Sequence, residues 1–249
     1  MTELALTGER TLPGIAGENY WFRRHEAAYL LLAPEVSPGR LLEVGAGEGY
    51  GTALLAEQAG FGCALDYDAA AISHLATRYR QLRAVRGNLA ALPIQTASID
   101  NLVSLQVIEH VWDHRQFLAE CARVLRPGGL LLLSTPNRLT FSPGSDRPSN
   151  PFHTHEFTAV ELLSLVRAAG FGDVTIRGLH PAARLRELDR THRADGGFVA
   201  AQLRTDTAGW PADLRAEVAS VRAADFEIAE LPDRDIDSCL DLIVSARWA

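Results

Sequence analysis

The chain contains 249 residues, of which 47% are hydrophobic and 22% are charged, and its formal net charge is −7. These values are typical of one large globular domain with a sizeable core. The negative charge argues against a nucleic-acid partner, because phosphate binding requires a basic surface. The aromatic content of 7% argues against it as well, because few rings are available to stack on bases. None of the 24 basic residues is lysine, which excludes a Schiff-base mechanism.

Cysteine usage and hydropathy indicate the compartment. Cys63, Cys121 and Cys239 lie in apolar surroundings, and their odd number disfavours a disulfide framework. No apolar run approaches the length of a membrane span, and the first residues lack a signal-peptide layout. We therefore expect a cytoplasmic protein with reduced core cysteines and no membrane insertion.

The N-terminal residues predict an arm and a cap helix. Residues 1–18 are poorly patterned and contain several glycines, which indicates a loop, whereas residues 19–32 predict a helix with an aromatic start. Prolines that follow end this helix. We therefore divide the chain into an N-terminal arm and cap helix (1–37) and a main domain (38–249).

The main domain alternates strand and helix patterns, which predicts an α/β fold with a mostly parallel sheet and helices on both faces. An all-leucine stretch is typical of a strand buried on both faces. Residues 180–236 interrupt the alternation with polar helical segments, so we expect a helical insertion before the last strand. Seven strands are predicted, at residues 41–44, 62–65, 83–85, 99–105, 130–133, 174–179 and 240–245.

Capping signals mark the starts of three helices. Asp113 with Gln116, and Thr158 with Glu161, have the spacing of a capping box. Asp68 precedes a helical pattern and is predicted to cap it.

A glycine-rich loop follows the first strand. Gly45, Gly47 and Gly49 have the spacing G-x-G-x-G, with Glu43 before them and Tyr50 after them. Glycines let the backbone turn tightly and approach a ligand, and the helix N-terminus that follows suits a carboxylate. The dinucleotide fingerprint requires a glycine where Tyr50 stands, so the loop fits a ligand without a pyrophosphate.

An acidic residue follows the second strand. Asp66 lies 21 residues after Gly45, a spacing at which a carboxylate accepts hydrogen bonds from both hydroxyls of a ribose. The alternative is that Asp66 only caps the next helix.

The loop, the spacing and the acid together resemble the class I S-adenosylmethionine methyltransferases. The stretch from Gly87 to Ile94, followed by Ser98-Ile-Asp, is similar to the family's G-D-x-x-x-L-P-F…S-F-D segment. The resemblance implies a Rossmann-like sheet of seven strands with the last antiparallel. It places Asn88 where the family has an adenine-binding Asp, although Asn88 fits a turn equally well. The implied S-adenosylmethionine contacts are Glu43, Gly45, Ala46, Gly47, Gly49, Asp66, Tyr67, Asn88, Leu89 and Gln106.

The end of the fourth strand carries the candidate catalytic residues. Gln106, Glu109 and His110 fall at the carboxyl edge of the sheet, where open α/β sheets bind ligands. We predict that His110 is the general base for a hydroxyl acceptor and that Glu109 orients it or binds the acceptor. The alternative is that both only hold the loop together.

A second histidine pair follows the fifth strand. His153 or His155 could meet Glu109 and His110, and we take His155 as the third member of the catalytic group. Such a group could hold a divalent metal such as Mg²⁺. Some relatives carry the metal pattern E-x-x-E-H, in which the first Glu is replaced here by Gln106, so metal use is left open.

Aromatic and arginine residues mark further parts of a substrate site. Arg23 or Arg24 could pair with the methionine carboxylate of the cofactor, and neighbouring aromatic residues could cover the pocket. Trp112 or Trp210 could stack on a sugar. In each case ordinary packing is the alternative.

Almost the whole chain resembles an actinobacterial group associated with 6-O-methylglucose lipopolysaccharide synthesis. The segments that carry this resemblance are GERTLPGIAGENYWFRRHEAAY, STPNRLTFSPG, NPFHTHEF and DRDIDSCLDLI. It implies methylation of the 6-hydroxyl of glucose units in an α-1,4-glucan. The alternatives are another small-molecule acceptor such as a quinone precursor, and a non-catalytic cofactor-binding scaffold. An oligomer is compatible with the sequence.

Overall fold

Eight strands form one mixed sheet in the computed structural model, which describes residues 4, 10–230 and 232–249. Much of the predicted arm, residues 1–3 and 5–9, lies outside the described residues. The strands are β1 (Gly39–Val44), β2 (Gly60–Asp66), β3 (Arg83–Arg86), β4 (Ile99–Leu105), β5 (Leu125–Pro136), β6 (Phe171–Pro181), β7 (Phe226–Ala229) and β8 (Asp241–Trp248). Their order across the sheet is β3-β2-β1-β4-β5-β8-β6-β7.

The prediction of seven strands is wrong by one. The additional strand, β7, lies inside the predicted helical insertion and pairs antiparallel with Gly178–Pro181 at the end of β6. Strands β1 to β5 pair in parallel, whereas β8 is antiparallel to both β5 and β6. The predicted parallel character therefore holds for the first five strands, and the other half of the sheet is antiparallel.

Nine α-helices occur in the described residues. They are α1 (Asn19–Leu32), α2 (Tyr50–Ala59), α3 (Ala69–Arg78), α4 (His114–Val124), α5 (Arg138–Phe141), α6 (Ala159–Ala168), α7 (Ala183–Thr191), α8 (Phe198–Leu203) and α9 (Ala212–Ser220). None of the helices in the described residues is long and apolar enough to cross a membrane.

The predicted helix caps form. The Asp68 side chain accepts a hydrogen bond from the Ala70 N–H, and Thr158 and Glu161 make a complete capping box. Asp113 accepts from the Gln116 N–H, but the Gln116 side chain donates to the Ala90 carbonyl instead of closing a box. Local spacing thus predicts the starts of these three helices, whereas the Gln116 side chain binds an acceptor 26 residues away in the chain.

Each face of the sheet carries its own hydrophobic core. In β5, Leu131 and Leu133 pack on one face with α4 and α6, whereas Leu130 and Leu132 pack on the other with α1, α2, α8 and α9. This alternation follows from the two-residue period of a strand, and it confirms a strand buried on both faces. Because helices cover both faces, the loops at the carboxyl ends of β1, β2 and β4 remain available for a ligand.

Candidate active site

A cavity of about 1150 Å³ lies at the carboxyl ends of β1 to β4. Loops that follow four strands converge there, as the topology of an open α/β sheet dictates. All predicted cofactor contacts except Glu43 and Gly49 line the cavity, namely Gly45, Ala46, Gly47, Asp66, Tyr67, Asn88, Leu89 and Gln106.

The glycine loop is shaped by positive φ angles and a close neighbour. Gly45 has a φ of 80° and Gly47 a φ of 54°, a region that favours glycine. A Cβ on Gly45 would lie 2.5 Å from the Val107 side chain, so the loop can approach the end of β4 only without a side chain there. The Gly45 and Ala46 N–H groups both donate to the Leu65 carbonyl, which ties the loop to β2.

Asp66 is a buried carboxylate at the cavity wall. Its Oδ2 accepts from the Gly47 N–H and its Oδ1 from the Asp68 N–H, both at 2.9 Å. A carboxylate has about four acceptor positions. Two backbone donors therefore fix its orientation and leave capacity for the hydroxyls of a ribose.

Glu43 lies beneath the loop, away from the cavity surface. It is 1% exposed, and it accepts hydrogen bonds from the Tyr29 hydroxyl at 2.5 Å and from the Thr52 hydroxyl. Burial raises the pKa of Glu43 to about 7. In this structure Glu43 joins α1 and α2 to β1.

Gly49 and Asn88 have clear structural tasks. A Cβ on Gly49 would lie 2.8 Å from the Leu75 side chain, so this glycine allows α3 to pack against the loop. Asn88 lines the cavity, and its side-chain oxygen accepts from the Ala90 N–H at 2.9 Å. The turn interpretation of Asn88 is therefore realised, and the second lone pair of the same oxygen remains for an adenine amino group.

His110 lies in a short 3₁₀ helix, Ile108–His110, directly after β4. Its Nδ1 is 3.0 Å from the Phe152 carbonyl oxygen. Because a carbonyl only accepts, Nδ1 is the donor, and in this tautomer the lone pair lies on Nε2. The ring centroid of His153 lies 4.9 Å away, and both histidines line the cavity.

Glu109 completes this group from the buried side. Its Oε2 accepts from the Thr135 hydroxyl at 2.9 Å, while its Oε1 is buried without a hydrogen-bond partner in the described part of the chain. Burial raises the pKa of Glu109 to about 8. Glu109, His110 and His153 each offer one side-chain ligand atom, and these three atoms lie within 4.8 Å of one another.

The structure brings His153, and not His155, to this group. His155 packs against Phe157 and His114, with ring centroids 4.5 and 5.8 Å apart, and it is absent from the cavity lining. Its Nε2 is 4.0 Å from Glu161. The group with Glu109 and His110, which was predicted to include His155, therefore contains His153 instead.

The two arginines of α1 are engaged elsewhere. Arg24 is buried and makes a two-point ion pair with Asp241, at 2.8 and 2.5 Å, and Arg23 pairs with Glu26. Arg10 of the arm lines the cavity instead and pairs with Asp68 at 2.5 Å. Arg10 could not be predicted as a cavity residue, because the arm has no periodic pattern.

Aromatic residues divide between the core and the cavity rim. Tyr20 is buried against Phe198 and Phe226, and Trp210 is 7% exposed with its N–H bonded to the Gln202 carbonyl. Neither covers the pocket. Trp112 is 89% exposed and lines the cavity close to His110 in the chain.

Comparisons with known proteins show the family to which the chain belongs. A family model described as a methyltransferase domain matches residues 42–133. A probable S-adenosylmethionine-dependent methyltransferase of Mycobacterium tuberculosis is 52% identical over 246 residues, which cover 98% of this chain and 89% of the relative. A demethylmenaquinone methyltransferase of a Mycobacterium species is 33% identical over 129 residues, 51% of this chain and 54% of that protein.

A solved structure shows the same fold. The crystal structure of an S-adenosylmethionine-dependent methyltransferase of Thermotoga maritima, described as a possible histamine N-methyltransferase, superposes with a TM-score of 0.61 at 18% identity. The match covers 92% of this chain and 93% of that chain. We conclude from the match to the mycobacterial relative, together with the glycine loop and this fold, that the chain belongs to the family of S-adenosylmethionine-dependent methyltransferases.

Proposed function

We propose that the enzyme methylates a sugar hydroxyl, the 6-hydroxyl of glucose units in an α-1,4-glucan. The observation that carries this proposal is Trp112, whose ring is 89% exposed on the rim of the cavity that holds His110. An indole ring open to water offers a flat apolar face with a polar edge. The C–H face of a glucose ring stacks on such a surface while its hydroxyls stay in water.

The size of the cavity supports two ligands side by side. Its volume of about 1150 Å³ exceeds the roughly 300–1,000 Å³ typical of a site for one small molecule. The cofactor would occupy the wall formed by Gly45 to Gly47 and Asp66. The remaining space, towards His110 and Trp112, would receive the end of a glucan.

The chemistry then needs alignment and one proton acceptor. The acceptor oxygen attacks the methyl carbon in line with the carbon–sulfur bond, that bond breaks, and S-adenosylhomocysteine leaves. The lone pair on the Nε2 of His110 takes the hydroxyl proton, because Nδ1 is already committed to the Phe152 carbonyl. Glu109, which accepts a hydrogen bond from the buried Thr135 hydroxyl, would hold the segment Ile108–His110 in place.

The test is methyl transfer from labelled S-adenosylmethionine to short α-1,4-gluco-oligosaccharides. We expect 6-O-methylglucose in the product, a higher KM for glucan in Trp112→Ala, and an unchanged affinity for the cofactor. Phe61→Ala is the matched control, because Phe61 is an exposed aromatic residue, 43% accessible, that does not line the cavity. Equal KM values for Trp112→Ala and the parent enzyme would contradict a stacking role.

An aromatic-ring acceptor is the second candidate. It is favoured by the match to a demethylmenaquinone methyltransferase over about half of the chain. Trp112 and Phe152 are both exposed and both line the cavity, so they offer apolar surface to a flat ring. The same assay with a naphthoquinol in place of the oligosaccharide separates the two. Product formed from the quinol and not from the oligosaccharide would refute the sugar acceptor and support a quinone precursor as the substrate.

A further inference from the structure

We propose that Glu109, His110 and His153 form a binding site for one divalent transition-metal cation, such as Zn²⁺ or Co²⁺. Their ligand atoms lie within 4.8 Å of one another, close enough for a single cation to contact all three. The use of this cation in catalysis rests on the proposed function, whereas its binding does not.

The donor atoms are prepared for a cation. His110 donates from Nδ1 to the Phe152 carbonyl at 3.0 Å, which directs its lone pair to Nε2. Glu109 is 1% exposed, and its Oε1 has no hydrogen-bond partner in the described part of the chain. A buried oxygen without a partner is costly, and a bound cation would satisfy it.

A second carboxylate supports His153. The Nδ1 of His153 lies 2.9 Å from Glu156 Oε1, and Glu156 is 1% exposed. Metal-binding histidines commonly donate their other N–H to a carboxylate, which fixes the ring and strengthens it as a ligand. The Nε2 of His153 lies 3.1 Å from the Asn150 amide nitrogen, so a cation has to displace that side chain.

The ligand types select the metal. Mg²⁺ strongly prefers oxygen ligands in an octahedral arrangement, whereas imidazole suits Zn²⁺ and neighbouring transition metals. Two histidines and one glutamate therefore favour a transition metal over Mg²⁺. Three protein ligands also leave a coordination position open, as catalytic metal sites do.

The open position suits the hydroxyl of the acceptor. A cation there would lower the pKa of the hydroxyl, whose proton then leaves to water as the oxygen attacks the methyl carbon. One lone pair cannot hold a proton and a cation together. When a cation is bound, the cation rather than His110 would therefore activate the acceptor hydroxyl.

Binding is tested with Co²⁺ as a spectroscopic probe. Metal-free protein is titrated with Co²⁺ while its visible absorption is followed, and Zn²⁺ affinity is measured by calorimetry. We expect one cation per chain, and at least a hundredfold weaker binding in Glu109→Gln and in His153→Ala. Each variant is first shown to be folded by its binding of S-adenosylhomocysteine.

Two further variants sharpen the result. His155→Ala removes a histidine two residues from His153 but outside the group, and it should keep the parent affinity. Glu156→Gln should weaken binding about 10- to 100-fold and leave the stoichiometry at one. Equal Co²⁺ affinity in Glu109→Gln, His153→Ala and the parent protein would overturn the proposed site.

The catalytic use is tested separately with a chelator. If the sugar acceptor fails while Co²⁺ still binds through Glu109 and His153, the proposed substrate is refuted and the metal site stands. Full methyl transfer after chelation would overturn the catalytic use of the cation and leave His110 as the base.

Discussion

Glu43 is a buried carboxylate whose protonation affects folding. Burial raises its pKa to about 7 from an ordinary value of 4.5. Between these values the unfolded chain releases the proton while the folded chain keeps it, so stability falls as pH rises from about 4.5 to about 7. A shift of this size corresponds to about 3 kcal/mol.

We expect Glu43→Gln to remove this dependence. Its amide can still accept from one of Tyr29 and Thr52 and donate to the other. Urea unfolding at pH 5 and pH 8 should show a loss of about 2.5 kcal/mol more for the parent protein than for the variant. Glu57→Gln, on the exposed side of α2, is the control and should behave like the parent. Identical pH dependence in Glu43→Gln and the parent would refute the assignment.

Arg10 covers the cofactor loop. Its Cβ lies 4.0 Å from the position of a Cβ on Gly47, and its guanidinium pairs with Asp68. A ligand on the loop would therefore lie under this side chain. We expect Arg10→Ala to weaken S-adenosylhomocysteine binding about tenfold, the loss of one charge-assisted contact, as measured by calorimetry. Arg23→Ala, which removes a surface arginine paired within α1, should bind like the parent; an equal loss in both variants would point to a general charge effect.

Residues near strand ends could be placed from the sequence, whereas residues chosen by distant contacts could not. Gly45 and Gly47 lie in the loop just after β1 and Asp66 is the last residue of β2, and strand order brings them together. His153 and His155 are two residues apart in an irregular loop. The choice between them depends on the Phe152 bond to His110 and the Thr154 bond to Glu109, 42 and 45 residues away in the chain.

At the scale of elements, the buried ion pair of Arg24 and Asp241 joins α1 to β8. The two side chains are 5% and 3% exposed. Removing one partner would leave an uncompensated buried charge, which costs about 3–5 kcal/mol. We expect Arg24→Met to lower the free energy of unfolding in urea by this amount.

A surface pair gives the comparison. Arg23→Met removes an arginine that is 36% exposed and pairs with Glu26, and such a pair contributes about 0–1 kcal/mol. The double variant Arg24→Met with Asp241→Asn should regain part of the stability lost in Arg24→Met. A cost below 1 kcal/mol for Arg24→Met would mean that the ion pair contributes little to holding α1 against the sheet.

Elements with strong local patterns were predictable, and β7 was not. The helix that follows Thr158 has both a cap and an apolar face, so its start is encoded within a few residues. Strand β7 has four residues, Phe226–Ala229, and its partner strand ends 45 residues earlier. A short strand at the edge of a sheet depends on its neighbour more than on its own sequence.

For the whole molecule, one sheet separates two cores and places the reactive residues at one edge. The core with α4 and α6 supports the segment that carries Glu109 and His110. The core with α1 and α2 supports the glycine loop, because Tyr29 bonds Glu43 and a Cβ on Gly51 would meet the Tyr29 ring at 2.3 Å. A ligand in the cavity therefore touches parts that both cores hold in place.

We expect the product S-adenosylhomocysteine to stabilise the fold as one unit. At a concentration one hundred times its Kd, it should add about 2.7 kcal/mol and raise Tm by about 5–10 °C for a domain of this size. Calorimetry should show a single transition before and after binding. Asp66→Asn should reduce the shift at the same ligand concentration, because a neutral amide is a weaker partner for ribose hydroxyls. A ligand that moved only one of two separate transitions would show that the two cores unfold independently and that the cavity belongs to one of them.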